Sequence, residues 1–440
     1  MLRESYAQRQ SRIPLVLCIT VFLVTFFLNR DFGIRYLYNY FLVAVVLMLA
    51  VIFDGVVRVN KEKLVYVFLA AVIVVLSFLP TSVRDPLVIN TAIAVALFTV
   101  CCLLAAPSER ELDIAAKTML LWGCAVTCYL FLVKLFPGVY WASIYPRLST
   151  EAKEEAISLM REHSYGVAMG GSAVYIDYIL ALGIFICAGV LLNSTGEKRR
   201  KLICLMLGCF FLVGMVIQNR RSELLAVIMA VGFILILNAD PDHIGARKIR
   251  RITGAVLAVM AGVAFMLSRG MLDRYLETFT NLTRNGSVGI ASASNGRLIL
   301  WSDAYQLFKQ SPIFGIGWRQ FSEQNNVLYM EGNNVHNDYL QWLCETGIVG
   351  FLLIFVPFFY LWIRTMMRCL ELNKMQRAGY RLYVDGAKSY ALISCAIQTF
   401  FLIMHCIDPC FYKLIFWPIF TLAIILYNQS YRRLLIETNE

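Results

Sequence analysis

Residues 87–106 read LVINTAIAVALFTVCCLLAA, twenty positions without a charge. At a rise of about 1.5 Å per residue, a helix of that length reaches about 30 Å, the thickness of a bilayer's hydrocarbon core. The same pattern recurs along the chain. Twelve spans are predicted, at 13–29, 37–53, 64–79, 87–106, 114–136, 173–193, 202–218, 224–238, 252–268, 347–366, 387–407 and 414–428. Composition agrees: 59% of the 440 residues are hydrophobic and only 16% are charged, against about 25% charged in soluble domains. The expectation is an all-α, polytopic transmembrane helical bundle, a single integral membrane domain over residues 1–440 with no appended soluble domain.

The net charge of +11 does not point to nucleic acid. Most basic residues crowd one set of connections, including Lys198-Arg199-Arg200-Lys201 and Arg247-Lys248-Ile249-Arg250-Arg251. By the positive-inside rule that side is cytoplasmic, which puts both termini inside and predicts a multi-pass protein of the bacterial inner membrane. The run 13–29 lacks a small-residue cleavage site and reads as a retained first span rather than a signal peptide. The cysteines, such as Cys101, Cys102 and Cys204, sit within apolar runs as small hydrophobes, without CxxC or zinc spacing. Neither a metal nor another cofactor is expected.

Two outer connections are too long to be simple turns: 137–172, the first extracytoplasmic loop, and 269–346, a large, partly helical loop between spans nine and ten. In the first, Ser149–His163 reads as a surface helix, with Ala152, Ala156, Ile157 and Met160 on one face. In the second, a helix is predicted over Arg297–Gln310, capped by Asn295 and stopped by Pro312. Leu298, Trp301, Tyr305 and Phe308 would form its apolar face.

The residues able to do chemistry concentrate on this outer side. His336 precedes span ten, near a helix start that Asn333 or Asn334 could cap. A lone loop histidine is usually a surface residue, but imidazole is also the side chain best suited to exchange a proton near neutral pH. Arg220 and Arg221 occupy a short outer turn, where arginine runs against the charge rule. Snorkelling to headgroups is the ordinary explanation, and bidentate binding of phosphate oxygens is the functional one. Arg297 falls in the first turn of its helix, the end that attracts anions. Asp177 lies inside span six, where a carboxylate is costly and is either paired or functional. Glu345 is nine residues after His336, about 13 Å along a continuous helix, so no direct dyad is expected. His405, near Asp408, reads as a satisfied bundle residue. Asp240-Pro241-Asp242 has the spacing of a metal-binding DxD, but lies on the cytoplasmic side and is discounted. Two sequon matches, Asn281-Leu282-Thr283 and Asn285-Gly286-Ser287, are of a kind frequent by chance.

The stretch from Arg297 to Gly350 reads NGRLILW (from Asn295), then SPIFGIGWRQF, then NNVHNDYLQWLCETGIVGFLL. It carries Arg297 and Trp301, then Pro312, Gly315 and Gly317, then His336, Asn337 and Leu340, and lastly Glu345, Gly347 and Gly350. In this combined pattern the sequence resembles the O-antigen ligase and polymerase family, with a ligase-related region over 205–355. The resemblance implies an extracytoplasmic, metal-independent, inverting glycosyltransferase of surface polysaccharide or lipopolysaccharide biosynthesis. Its partners would be a polyprenyl-diphosphate-linked glycan and a lipid or glycan acceptor. His336 would serve the acceptor hydroxyl, and Arg297 with Arg220 or Arg221, Arg220 preferred, would bind the diphosphate. Asn337, Glu345 and Asp177 would give support. The ligase reading is preferred over a repeat-unit polymerase, which the motif does not separate. A flippase or transporter for the lipid-linked glycan is the alternative of a different class.

Overall fold

The computed structural model describes residues 13–31, 37–54, 59–79, 86–150, 153–154, 156–157, 173–192, 197–238, 297–324, 334–378 and 380–437. Predicted span nine, the Asp240–Asp242 motif, both sequons, Asn295, Asn333 and most of Ser149–His163 lie outside them.

Among the described residues there is no strand, and the long helices are α1 (Leu15–Asp31), α2 (Leu37–Asp54), α3 (Lys61–Ser77), α4 (Pro86–Leu104), α5 (Glu109–Leu135), α6 (Ala173–Leu191), α7 (Lys198–Gln218), α8 (Arg221–Asn238), α9 (Arg297–Gln310), α10 (Asp338–Arg377), α11 (Arg381–Met404) and α12 (Phe416–Glu437). The predicted spans other than 252–268 each overlap one of these. Helices α5, α7, α10 and the Val384–Met404 stretch of α11 are long and apolar enough to cross a membrane. Shorter apolar helices cover Leu15–Phe26, Tyr40–Phe53, Val88–Leu104, Tyr175–Leu191 and Ser222–Asn238.

Local sequence explains where these helices begin and end. Asn60 caps α3 by accepting from the Lys63 N–H at 2.8 Å, and Ser108 caps α5 through the Glu111 N–H at 3.1 Å. Asn219 ends α7 in the left-handed conformation, φ 65°. Helix α11 is the hub, packed against α6, α8, α10 and α12.

The distribution of polarity is that of a lipid-facing bundle. Phe41, Leu121 and Ile236 stand exposed, whereas Asp177, Glu223, Asp338, Gln341, Glu345 and His405 are buried. Water would select the reverse. Buried polar groups are instead spent on ties between helices. The Tyr66 and Thr421 hydroxyls are 2.7 Å apart, Trp362 donates to Thr399 at 2.9 Å, and Gln398 donates to Thr365 at 2.8 Å. At one end Glu62 accepts from both Arg364 and Tyr427, each at 3.1 Å.

Helix α9 spans the predicted residues, but its buried face is rotated from expectation. Leu300, Ala304 and Leu307 are buried against Phe321, Val335 and Cys344, with Trp301 and Phe308 at the margin and Tyr305 exposed. The stripe turns by about one residue, roughly 100°, because α9 packs on the start of α10 rather than lying free on the bundle.

Candidate functional site

The site is assembled around the first turns of α10. Its cap is Asn337, which accepts from the Leu340 N–H at 3.1 Å. This corrects the expectation of Asn333 or Asn334: Asn334 instead accepts from Arg319 at 2.7 Å. Shifting the cap to Asn337 frees the preceding residue, His336, from the helix.

His336 sits at φ 54°, in the left-handed region that bulky residues seldom occupy without support. The support comes from both sides. Trp301 Nε1 donates to the Val335 carbonyl at 3.1 Å, the Val335 N–H donates to Gln341 at 3.3 Å, and Asn337 is fixed as the cap. The imidazole, with 37% of its surface exposed, places Nδ1 3.8 Å from Asp408 Oδ1. Asp408 also pairs with Lys413. Burial would raise the Asp408 carboxyl, but the Lys413 ammonium beside it prevails and holds it well below the usual carboxylate range.

Lys413 extends the polar chain to a second group. Its Nζ lies 5.5 Å from the centre of the Tyr178 ring. The neighbouring Asp177, fully buried, is within electrostatic reach of Lys413, Arg220 and Glu223. Among the described residues neither Asp177 oxygen has a hydrogen-bond partner. Arg220 Nη1 is 4.0 Å from Glu223 Oε1, and Ser222 donates to the other Glu223 oxygen at 2.7 Å. Arg220, Asp177 and His336 are therefore brought to one end of the bundle, joined through Lys413 and Asp408. The Arg221 side chain lies outside what the structure describes.

Arg297 opens α9, half-buried, four residues before Trp301. That is one turn, about 6 Å along the axis on the same face, and Trp301 is bonded to the carbonyl next to His336. No bond links Arg297 directly to His336 or Arg220 among the described residues.

Glu345 is not a partner of His336. It is fully buried and accepts from Tyr412 at 2.5 Å, Gln341 at 3.2 Å and the Phe321 N–H at 3.4 Å. It holds the 408–413 turn against α10. Asp338 does the same two turns earlier on the same face of α10. Its Oδ2 is 2.5 Å from His405 Nδ1 and accepts from the N–H groups of Cys410 and Phe411 at 2.6 and 3.2 Å. His405 is thus a bundle residue, as its position suggested, but it is satisfied only at Nδ1: its buried Nε2 has no hydrogen-bond partner among the described residues. His405→Ala leaves the Asp338 carboxylate buried without its side-chain partner. It is expected to cost about 3–5 kcal/mol, read as a lowered thermal midpoint in detergent with turnover per folded molecule largely kept.

The glycines of the motif are structural. Ile316 and Gly317 donate to the carbonyls of Cys344 and Glu345 at 3.1 and 2.8 Å, and Ile348 and Val349 donate back to Pro312 and Ile313 at 2.9 and 3.2 Å. The 312–317 turn and the 344–349 segment are laced together backbone to backbone.

Residues 202–355 match the family model described as O-Antigen ligase. The match covers 154 of the chain's 440 residues, about a third, so the similarity to O-antigen ligases is that of one region. Within the chain, 120 residues are 29% identical to the Exopolysaccharide production protein ExoQ of Rhizobium meliloti (strain 1021). That alignment covers 25% of each chain, so it spans about a quarter of that relative's length. The matched region contains most of α7, the Arg220 turn, α8, α9, His336 and the first half of α10. Asp408 and Lys413 fall after it; sequence reading noted Asp408 only as a neighbour of His405 and did not single out Lys413. The available signal was an Asp and a Lys five residues apart between two apolar spans, where a minimal turn needs neither.

Proposed function

We propose that the protein transfers a glycan from a polyprenyl diphosphate to an acceptor hydroxyl at the extracytoplasmic face, as an O-antigen ligase-like glycosyltransferase. The observation that carries this reading is the chain His336–Asp408–Lys413, reaching Asp177 and Arg220 at one end of the bundle. A base and a cation are the two functions that displacement at an anomeric carbon requires. The acceptor oxygen forms a bond to the anomeric carbon as the bond to the diphosphate oxygen breaks. The electron pair leaves with the diphosphate, and the acceptor proton passes to His336. Asp408, facing Nδ1, leaves Nε2 for the acceptor. Arg220 and Arg297 bind the diphosphate and stabilise its growing charge, so no metal ion is required of the reaction. One displacement inverts the anomeric configuration.

A transporter would keep charge near the middle of the membrane. In α11 the charged residues end at Lys388, and in α8 they end at Glu223, leaving the middle of both helices uncharged. The similarity to an exopolysaccharide production protein favours a second reading inside the same chemistry, in which the acceptor is another repeat unit and the protein is a polymerase. The deciding assay combines purified protein with a defined polyprenyl-diphosphate glycan and candidate acceptors, with mass spectrometry of the products. Release of polyprenyl diphosphate with an elongated or transferred glycan is expected, and no transfer to either acceptor class would refute the reading.

The arginines give a graded prediction. Arg297→Ala is expected to lower turnover about 10²–10³-fold, as loss of one preorganised donor does. Arg220→Ala should fall in the same range, and Arg220→Lys should not restore activity, because a point charge lacks the planar fork. Steady-state kinetics on the purified variants checks both.

A further inference from the structure

At the end of the bundle opposite His336 there is a cavity, of about 1040 Å³, between α5, α6, α7, α11 and α12. From Gly386 on its wall to His405 beside the candidate site is nineteen residues of α11, about 28 Å. The two sites therefore open at opposite membrane faces. Its size is at the upper end of small-ligand sites, roughly 300–1,000 Å³.

The walls divide by depth. The inner wall is apolar, built from Leu120, Ile186, Val190, Ile203, Leu207 and Ile393. The mouth is ionic and receives the first turns of α5, capped by Ser108, and of α7, the helix ends that favour anions. Of the four acids at the mouth two are paired with cations, Asp385 accepts from Gln376 at 2.6 Å, and Glu197 is exposed near Arg199 without such a pair among the described residues. Glu109 accepts from Arg433 at 2.7 Å and from Tyr390 at 2.6 Å, and Asp113 pairs with Lys117 at 2.5 Å and Arg200 at 3.9 Å. No such pair forms for Arg110 or Arg199 among the described residues, and both are exposed at the mouth.

We propose that this cavity holds an anionic phospholipid, its phosphate between Arg110 and Arg199 and an acyl chain along the apolar wall. Charge complementarity selects the phosphate, and the continuous apolar wall selects a lipid over a soluble phosphate. The site lies away from the glycan-transfer chemistry and does not depend on it.

Native mass spectrometry of the full chain in detergent tests this, with phosphatidylglycerol and phosphatidylcholine of the same acyl chains supplied in equal amounts. Preferential retention of phosphatidylglycerol by the unmodified protein is expected. The Arg110→Ala/Arg199→Ala double variant should lose that preference by about tenfold or more. Glycerol phosphate at the same concentration should fail to displace the lipid. Equal retention of the two lipids by the unmodified protein overturns the proposal without recourse to any variant. So does an unchanged preference in the double variant, and displacement by glycerol phosphate overturns the lipid assignment.

Discussion

His336→Ala is expected to lower turnover by about 10²–10⁴-fold, the range that a positioned base contributes, with little change in thermal midpoint. The second half of that expectation follows from the geometry. The imidazole is partly exposed, and its contact with Asp408, at 3.8 Å, is longer than a hydrogen bond. The ties that hold the segment run instead through the Val335 backbone and the Asn337 cap. Removing the ring therefore takes away chemistry and little structure. Asp408 separates orientation from proton transfer. Asp408→Asn should reduce turnover less than His336→Ala, and Asp408→Glu should recover part of the loss. The sign of any pH effect is also fixed. Because Lys413 depresses the Asp408 carboxyl, the pair's contribution is fully present above the normal carboxylate range, about 4, and is lost only as pH falls through the depressed value. A decline of activity above about pH 5 is thus not a titration of Asp408. Wild-type turnover by purified His336→Ala, measured with the defined lipid-linked donor, would remove the base from the mechanism.

The helical architecture was legible because hydrocarbon imposes long apolar runs that sequence displays without ambiguity. Helix α9 was legible in extent, its end marked by Pro312, but not in orientation. Which of Leu300 or Tyr305 is buried depends on the partner surface of α10, and both are compatible with the same periodicity. The candidate site was legible in part for a similar reason. His336 and the arginines stand in an uninterrupted motif, whereas Asp408 and Lys413 are more than seventy residues downstream and meet His336 only through the α10–α11 packing. Glu345 shows the opposite problem. Its carboxylate looks chemical in the sequence, yet, like Asp338, it is enclosed and bonded to the 408–413 turn. Burial, which no local pattern encodes, separates a group that positions the site from one that touches substrate.

Gly347→Ala is expected to destabilise the protein by about 3 kcal/mol or more, and Gly315→Ala to do nearly the same. Gly347 sits at φ 65°, ψ −171°, a region essentially closed to residues with a Cβ at a cost of about 1–3 kcal/mol. Space adds to strain, because a Cβ there would meet the Ile313 carbonyl, which is backbone and cannot swing aside. Gly315, at φ 72°, presents the reciprocal case, its Cβ directed at the Glu345 carbonyl. The two glycines are thus the two sides of one contact, in which four backbone hydrogen bonds fasten the 312–317 turn to the kink of α10. Gly232 in α8 supplies the comparison: nothing lies within 4 Å of its added Cβ, and its alanine variant should be neutral or stabilising by up to about 1 kcal/mol. Thermal midpoints of the three variants in one detergent decide the matter. Activity of Gly347→Ala should fall in step with the folded fraction, unlike that of His336→Ala. A Gly347→Ala protein with an unaltered midpoint would mean that the motif glycines serve the glycan or the diphosphate directly, through close backbone approach, rather than the frame that carries His336.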